Sequence, residues 1–348
     1  MKAIYPALAT LKIYILLAAI LMMPACARAG WENAPSTIKV GLVAPFEGLH
    51  RPLGYEALFG VKLALRERNA AGGINGSRVE LVALNDFDDP LEAQTQARTL
   101  IADPDVLGVV GHLSLDTTLA ALPVYREANL AVSAPWPLPI DSAANWPGLV
   151  NVAASADETV VRLDTFARER GLNTITVTNT QVLALPAEVK AVQVAADGVM
   201  AGEILLALRR AGVSLPVLGQ VDAGSPQVVQ VAGEAANGLI YVSPGPNPAD
   251  VAGSEGFVKA YQSLAGFAPG PRAVLAYEAT QVLLGAIELA MVHKDQPGRA
   301  DISAVITTVQ RRGLSGEIAF NAQGERLNAP VWVYQISGEE YPGVLMAP

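Results

Sequence analysis

Apolar and polar positions alternate along this chain in a rhythm of short strands and longer amphipathic helices. Ile38 to Val43 is a brief apolar run between Ser36-Thr37 and Pro45, which predicts a strand. Tyr55 to Asn69 then places Ala57, Val61, Ala64 and Leu65 on one face at helical spacing, and Ala71-Gly72-Gly73 ends the helix. Val79 to Asn85 reads as a strand, Asp86 to Pro90 as an acidic turn and Leu91 to Ala102 as a helix. Val106 to Val110 is a strand running into Gly111-His112-Leu113-Ser114, followed by a helix from Thr117 to Asn129 and a strand from Leu130 to Ser133. Such alternation implies right-handed crossovers and a parallel sheet, hence the α/β class. Ligands of these folds sit outside the carboxyl ends of the strands, so Pro45–Leu53, Asp86–Asp89, Gly111–Thr118 and Ala134–Pro139 are the loops that matter.

From Val152 the pattern restarts, with a helix from Asp157 to Glu169 and a strand from Thr174 to Thr178. Only Asn179 to Glu188 separates that strand from the next, Val189 to Ala195, which is hardly room for a crossover helix. Met200 to Ala211 is a helix, Pro216 to Gln220 a strand, Pro226 to Gly233 a short helix and Gly238 to Ser243 a strand. Pro244-Gly245-Pro246-Asn247-Pro248 is a turn cluster suited to a passage between two lobes. Helices are expected at Gly253–Gly266, Ala273–Val292 and Asp301–Arg311, and strands at Gly316–Phe320 and Pro330–Ile336.

The 348 residues, 51% hydrophobic and 16% charged, supply one large or two medium cores. Net charge is −9, and removing a basic leader with Lys2, Lys12, Arg28 and no acid takes it to −12. That balance argues against nucleic acid or anionic lipid as a partner, since both require clustered Lys and Arg. The leader itself, with an apolar run from Ile13 to Met23, reads as an export signal. Ala27 and Ala29 suit cleavage after residue 29, while Met23-Pro24-Ala25-Cys26 is a distant version of a lipid-attachment box, its Pro24 being out of pattern. Cys26 is the only cysteine, so the remainder holds no disulfide and no cysteine nucleophile. His50, His112 and His293 lack metal-ligand spacing, no nucleophile and base can be paired, and neither metal, cofactor nor enzymatic chemistry is expected.

Six segments, in order, resemble one family: Ile38–Gly48, Gly72-Gly73-Ile74-Asn75-Gly76, Asn85-Asp86-Phe87-Asp88-Asp89-Pro90, Val109-Val110-Gly111-His112, Gly233–Gly238 and Gly316–Asn321. The chain is similar to the leucine/isoleucine/valine-type (amino-acid and amide) substrate-binding proteins of ABC importers, the type I periplasmic binding proteins. The resemblance implies two discontinuous lobes, each a parallel sheet flanked by helices, joined by three hinge crossings. Residues 38–152 with 244–320 would form the first lobe, and 153–243 with 321–348 a second lobe one βα unit short. It also implies a monomeric periplasmic receptor that closes on a small amino-acid-like or amide solute and delivers it to an inner-membrane permease. The competing reading, drawn from the missing unit, is a degenerate relative acting as a periplasmic interaction or regulatory module.

Carried over residue by residue, the resemblance is partial. In the family a carboxylate is held by hydroxyls and backbone N–H groups after first-lobe strands, and an ammonium by a second-lobe acid. Ser114, Thr117 and Thr118 are the hydroxyl candidates, although they also suit helix capping, with Asp116 the more natural N-cap. Pro135 and Pro137 remove backbone donors from the next loop, where Trp136 offers either a flat cleft wall or a core filler. Asp222 stands near the position of the ammonium-binding acid, and otherwise is a solvated loop carboxylate. Tyr277 is either a cleft aromatic or a helix-to-sheet packer. Ser114, Asp116, Thr117, Trp136, Asp222 and Tyr277 are the expected ligand-binding residues.

Overall fold

The computed structural model describes residues 37–143, 146–181 and 185–347, so the expected export signal, with Cys26 and Ala29, lies outside the described residues. Five strands build the first sheet. They are β1 (Thr37–Ala44), β2 (Arg78–Asn85), β3 (Val106–Gly111), β4 (Ala131–Ala134) and β5 (Leu149–Asn151), with helices α1 (Arg51–Ala70), α2 (Pro90–Ala102) and α3 (Leu115–Glu127) between the first four. The order is β2-β1-β3-β4-β5 and every pairing is parallel. The chain therefore reverses its direction of sheet growth at β1, and a crevice opens there between the loops after β1 and β3.

The second sheet begins after α4 (Ala156–Glu169), with β6 (Thr174–Val177), β7 (Ala191–Val194), α5 (Gly198–Arg210), β8 (Val217–Gly219), α6 (Pro226–Ala232) and β9 (Ile240–Ser243). Its four leading strands are parallel. Between β6 and β7 the described residues contain no helix, which agrees with the shortened spacing in the sequence. As a result β6 is a partly exposed edge, whereas β7 beside it is buried throughout.

The chain then returns to the first sheet as α7 (Glu255–Ala265), α8 (Pro271–His293) and α9 (Arg299–Val305), followed by a small hairpin of β10 (Arg311–Gly313) and β11 (Gly316–Ile318). α8 is apolar around most of its circumference because it is a core helix, with Val282, Leu283, Ala286 and Ile287 all buried. Gly60 of α1 lets the two helices touch, since a Cβ there would lie 2.4 Å from the Ala273 carbonyl oxygen. The chain ends in the second sheet with β12 (Trp332–Ser337) and β13 (Glu340–Ala347), both antiparallel to their neighbours. β13 was not expected from the sequence: Pro342 and Gly343 interrupt its alternation of bulk, and tertiary pairing to β12 holds it extended.

Candidate functional site

The loops after β1, β2 and β3, the start of α8, and the loops after β7 and β8 converge on one cleft of about 360 Å³ between the two sheets. From the first-sheet side it is lined by Pro45, His50, Leu53, Asp88, Leu113, Ser114, Asp116 and Arg272; Asp197, Gly198, Asp222 and Gln227 line it from the other. The N-termini of α3, α5 and α6 all lie at this cleft, because each follows the carboxyl end of a strand. Asp197 caps α5, accepting hydrogen bonds from the N–H groups of Val199 and Met200 at 2.8 and 2.9 Å.

Beneath the first-lobe loops lies a sealed polar network. His112 bonds through Nδ1 to Asp86 Oδ2 at 2.7 Å and through Nε2 to the Tyr125 hydroxyl at 3.0 Å, with Asp86 and His112 fully buried. An aspartate, histidine and tyrosine in a row could suggest acid–base chemistry. Buried away from the cleft, they instead support the loop above them. Asp86 Oδ1 accepts from the Asp88 N–H at 3.1 Å and so holds the turn that carries Asp88 into the cleft. Burial pushes the Asp88 carboxyl above its ordinary value, against the pull of the Ser114 hydroxyl and of His50, whose Nε2 stands 3.5 Å away.

Ser114, Asp116 and Asp222 line the cleft together, from opposite lobes. Thr117 does not face it; the residue is buried, and its hydroxyl lies 2.8 Å from that of Ser114, orienting the serine. Thr118 likewise turns back, donating to the Ser114 carbonyl at 2.6 Å. The N-cap of α3 is Ser114 and not Asp116: the helix starts one residue earlier than Asp116, which therefore sits in its first turn. Trp136 is buried and fills core space beside Leu218 and Val242, yet its Nε1 donates to Asp222 Oδ1 at 2.9 Å. Tyr277 points away. Its ring packs edge-on against Phe257 at 5.1 Å, and its hydroxyl donates to Glu67 Oε2 at 2.6 Å. The reason is helical phase, since Arg272 of the same helix faces the cleft and five residues turn the helix by about 140° beyond a full turn.

Arg272, Gln227 and His50 are among the cleft residues that the sequence did not single out. Arg272 lies with Cζ 3.4 Å from the centre of the Trp136 ring, and its Nη1 is buried without a partner. Gln227 reaches across the cleft and donates Nε2 to the Leu49 carbonyl at 2.6 Å. His50 stands beside it, Nδ1 at 3.4 Å from the same amide nitrogen. The only hint in the sequence was their place in loops after strands or at helix starts, which many other polar residues share.

The periplasmic binding protein family profile matches residues 37–185 and 177–340, nearly the whole described chain. The chain belongs to the periplasmic binding protein family. Over 103 residues, 30% of its length, it is 32% identical to an amino acid binding protein of Pseudomonas aeruginosa, and that stretch spans 28% of the relative. A Leu/Ile/Val-binding protein homolog of Brucella abortus is 25% identical over 343 residues, covering 86% of this chain and 90% of the relative. Among solved structures, the branched-chain amino acid transporter substrate binding protein LivJ of Streptococcus pneumoniae, in complex with isoleucine, superposes with a TM-score of 0.77 at 19% identity. That superposition covers 90% of this periplasmic binding protein and 98% of LivJ, so the likeness is one of fold, in both lobes. The second lobe keeps its place in the family architecture, although the described residues between β6 and β7 contain no helix.

Proposed function

We propose that this chain is the periplasmic receptor of an ABC importer, which closes two lobes on a small amino-acid-type solute and presents it to a permease in the inner membrane. One observation carries the reading: a single cleft at the carboxyl ends of both sheets is lined from both sides and already bridged by the Gln227–Leu49 and Trp136–Asp222 hydrogen bonds. A solute touching both walls binds the closed arrangement better than the open one, and so shifts the population toward closure. Residues 38–152 with 244–320 would move against 153–243 with 321–348, and the three crossings are the hinge. Asp222 is the acid we assign to an ammonium group, with Ser114 and Asp116 on the facing wall. The leader would direct the chain to the periplasm, by cleavage near Ala29 or lipid attachment at Cys26, and the receptor would act as a monomer without catalysing a reaction.

The test is a thermal-shift screen of the purified mature protein against the twenty amino acids, with X-ray scattering on any hit. A true solute raises the melting temperature by mass action, by about 2.7 kcal/mol of added stability at a hundredfold excess over its dissociation constant, and contracts the molecule. A panel without a single hit would sink the amino-acid reading.

A further inference from the structure

A guanidinium never gives up its charge near neutral pH, so a buried N–H of Arg without an acceptor is costly unless a partner arrives. Arg272 is in that situation. The residue is 5% exposed, it lines the cleft, its Nη1 has no partner, and its Cζ lies over the Trp136 ring, 3.4 Å from the ring centre. Trp136 is itself held, packed in a buried cluster with Leu218 and Val242 and tied through Nε1 to Asp222 at 2.9 Å. Stacking and tether together fix the fork in orientation, as bidentate recognition of a planar anion requires. The loop that could otherwise supply backbone donors, after β4, carries Pro135 and Pro137, which have none.

On the opposite wall Gln227 has the complementary deficit. It is 2% exposed, its amide nitrogen is spent on the Leu49 carbonyl, and its Oε1 is buried without a donor. Asp88, Asp116, Asp197 and Asp222 also line the cleft, a field that disfavours a dianion such as phosphate and suits a single carboxylate accompanied by a donor or a positive group.

We propose that Arg272 is the anion receptor of the cleft and that the captured solute must carry a carboxylate, seated on the guanidinium, with a hydrogen-bond donor turned toward Gln227 Oε1. This rests on the cleft being the solute site, and moves carboxylate recognition from loop donors to the first turn of α8.

Calorimetric titration of the mature protein tests it with three probe sets: the twenty L-amino acids, their carboxamides such as L-leucinamide, and the simple carboxylates benzoate and 4-methylpentanoate. The expected result is that every binder carries a carboxylate and loses on the order of tenfold to a hundredfold in affinity as the carboxamide. In Arg272→Gln that acid-to-amide ratio should collapse toward one, and Arg272→Lys should keep part of it. Because the ratio is taken within one variant, general damage to the fold cancels, and the ratio in the parent protein needs no variant at all. Amides binding as tightly as acids, an unchanged ratio in Arg272→Gln, or no carboxylate bound at all would overturn the proposal. Simple carboxylates binding through Arg272 while amino acids do not would leave the Arg272 assignment standing and sink both the donor toward Gln227 and the amino-acid reading; amino acids binding with a ratio indifferent to Arg272 would overturn the Arg272 assignment and leave the amino-acid reading.

Discussion

Asp222 illustrates how one side chain serves two neighbours at once. Its Oδ1 accepts from Trp136 Nε1 at 2.9 Å, while the residue as a whole is exposed at the cleft. Asp222→Asn retains an oxygen for that bond and removes only the charge. An aminated solute should then lose on the order of tenfold in affinity, measured by calorimetry, with little change in the melting temperature of the free protein. Unchanged affinity would show that the ammonium lies elsewhere. At this scale the sequence was informative about which loops matter and poor about which atoms face inward. Ser114, Asp116 and Asp222 reach the cleft, yet Tyr277 is turned away by its helical phase, and Arg272 looked like an ordinary residue at a helix start. Side-chain direction depends on where a helix docks, and a single sequence does not reveal that docking.

Elements are held in place here by buried carboxylates as much as by apolar contact. Glu56 of α1 is buried and its Oε1 accepts the N–H groups of Arg272 and Ala273 at 2.9 and 3.1 Å, capping α8 from a neighbouring helix. Glu278, farther along α8, accepts the Ser315 N–H at 2.8 Å and pairs with the Ser315 hydroxyl, holding the turn between β10 and β11. Burial raises both carboxyls above their ordinary value, against the hydrogen bonds and the nearby arginines. A raised value in the folded state means that the folded chain holds the proton more tightly than the unfolded one. The contribution of these groups is then full below the ordinary carboxylate range and is lost as pH rises through the raised values. Glu56→Gln keeps the capping oxygen without the charge, so the stability of this variant relative to the parent should increase from about pH 5 to about pH 8 in urea unfolding. A pH-independent difference would mean that Glu56 is charged at no cost. The helices themselves were legible because apolar spacing marks them, but the cap on α8 comes from a residue 216 positions away, beyond the reach of any local rule.

Across the whole molecule, Arg326 ties together segments far apart in sequence. Its guanidinium donates to the carbonyls of Val152, Ser315 and Glu317 and to the Ser315 hydroxyl, at distances from 2.8 to 3.1 Å, tying the residue after β5 to the β10–β11 hairpin. Arg326→Ala leaves these acceptors buried without a donor, and Glu278 nearby without its arginine. We expect a loss of about 2–4 kcal/mol in chemical denaturation, with the cleft residues themselves untouched. A loss below about 0.5 kcal/mol would mean that water replaces the guanidinium and that these segments are looser than their geometry suggests.

The linear order of apolar runs determined the α/β class, the two-lobe plan and the short link after β6, because strand and helix periodicities are local properties that survive without knowledge of the rest of the chain. It also marked the loops at strand ends as the place where a ligand would sit. Tertiary structure alone decided that Arg272 and Gln227 confront each other across a cleft with unmet hydrogen bonds, and that Trp136 is both core and tether. Those facts depend on burial and on distances between residues far apart in sequence, quantities that exist only once the two sheets have closed on each other.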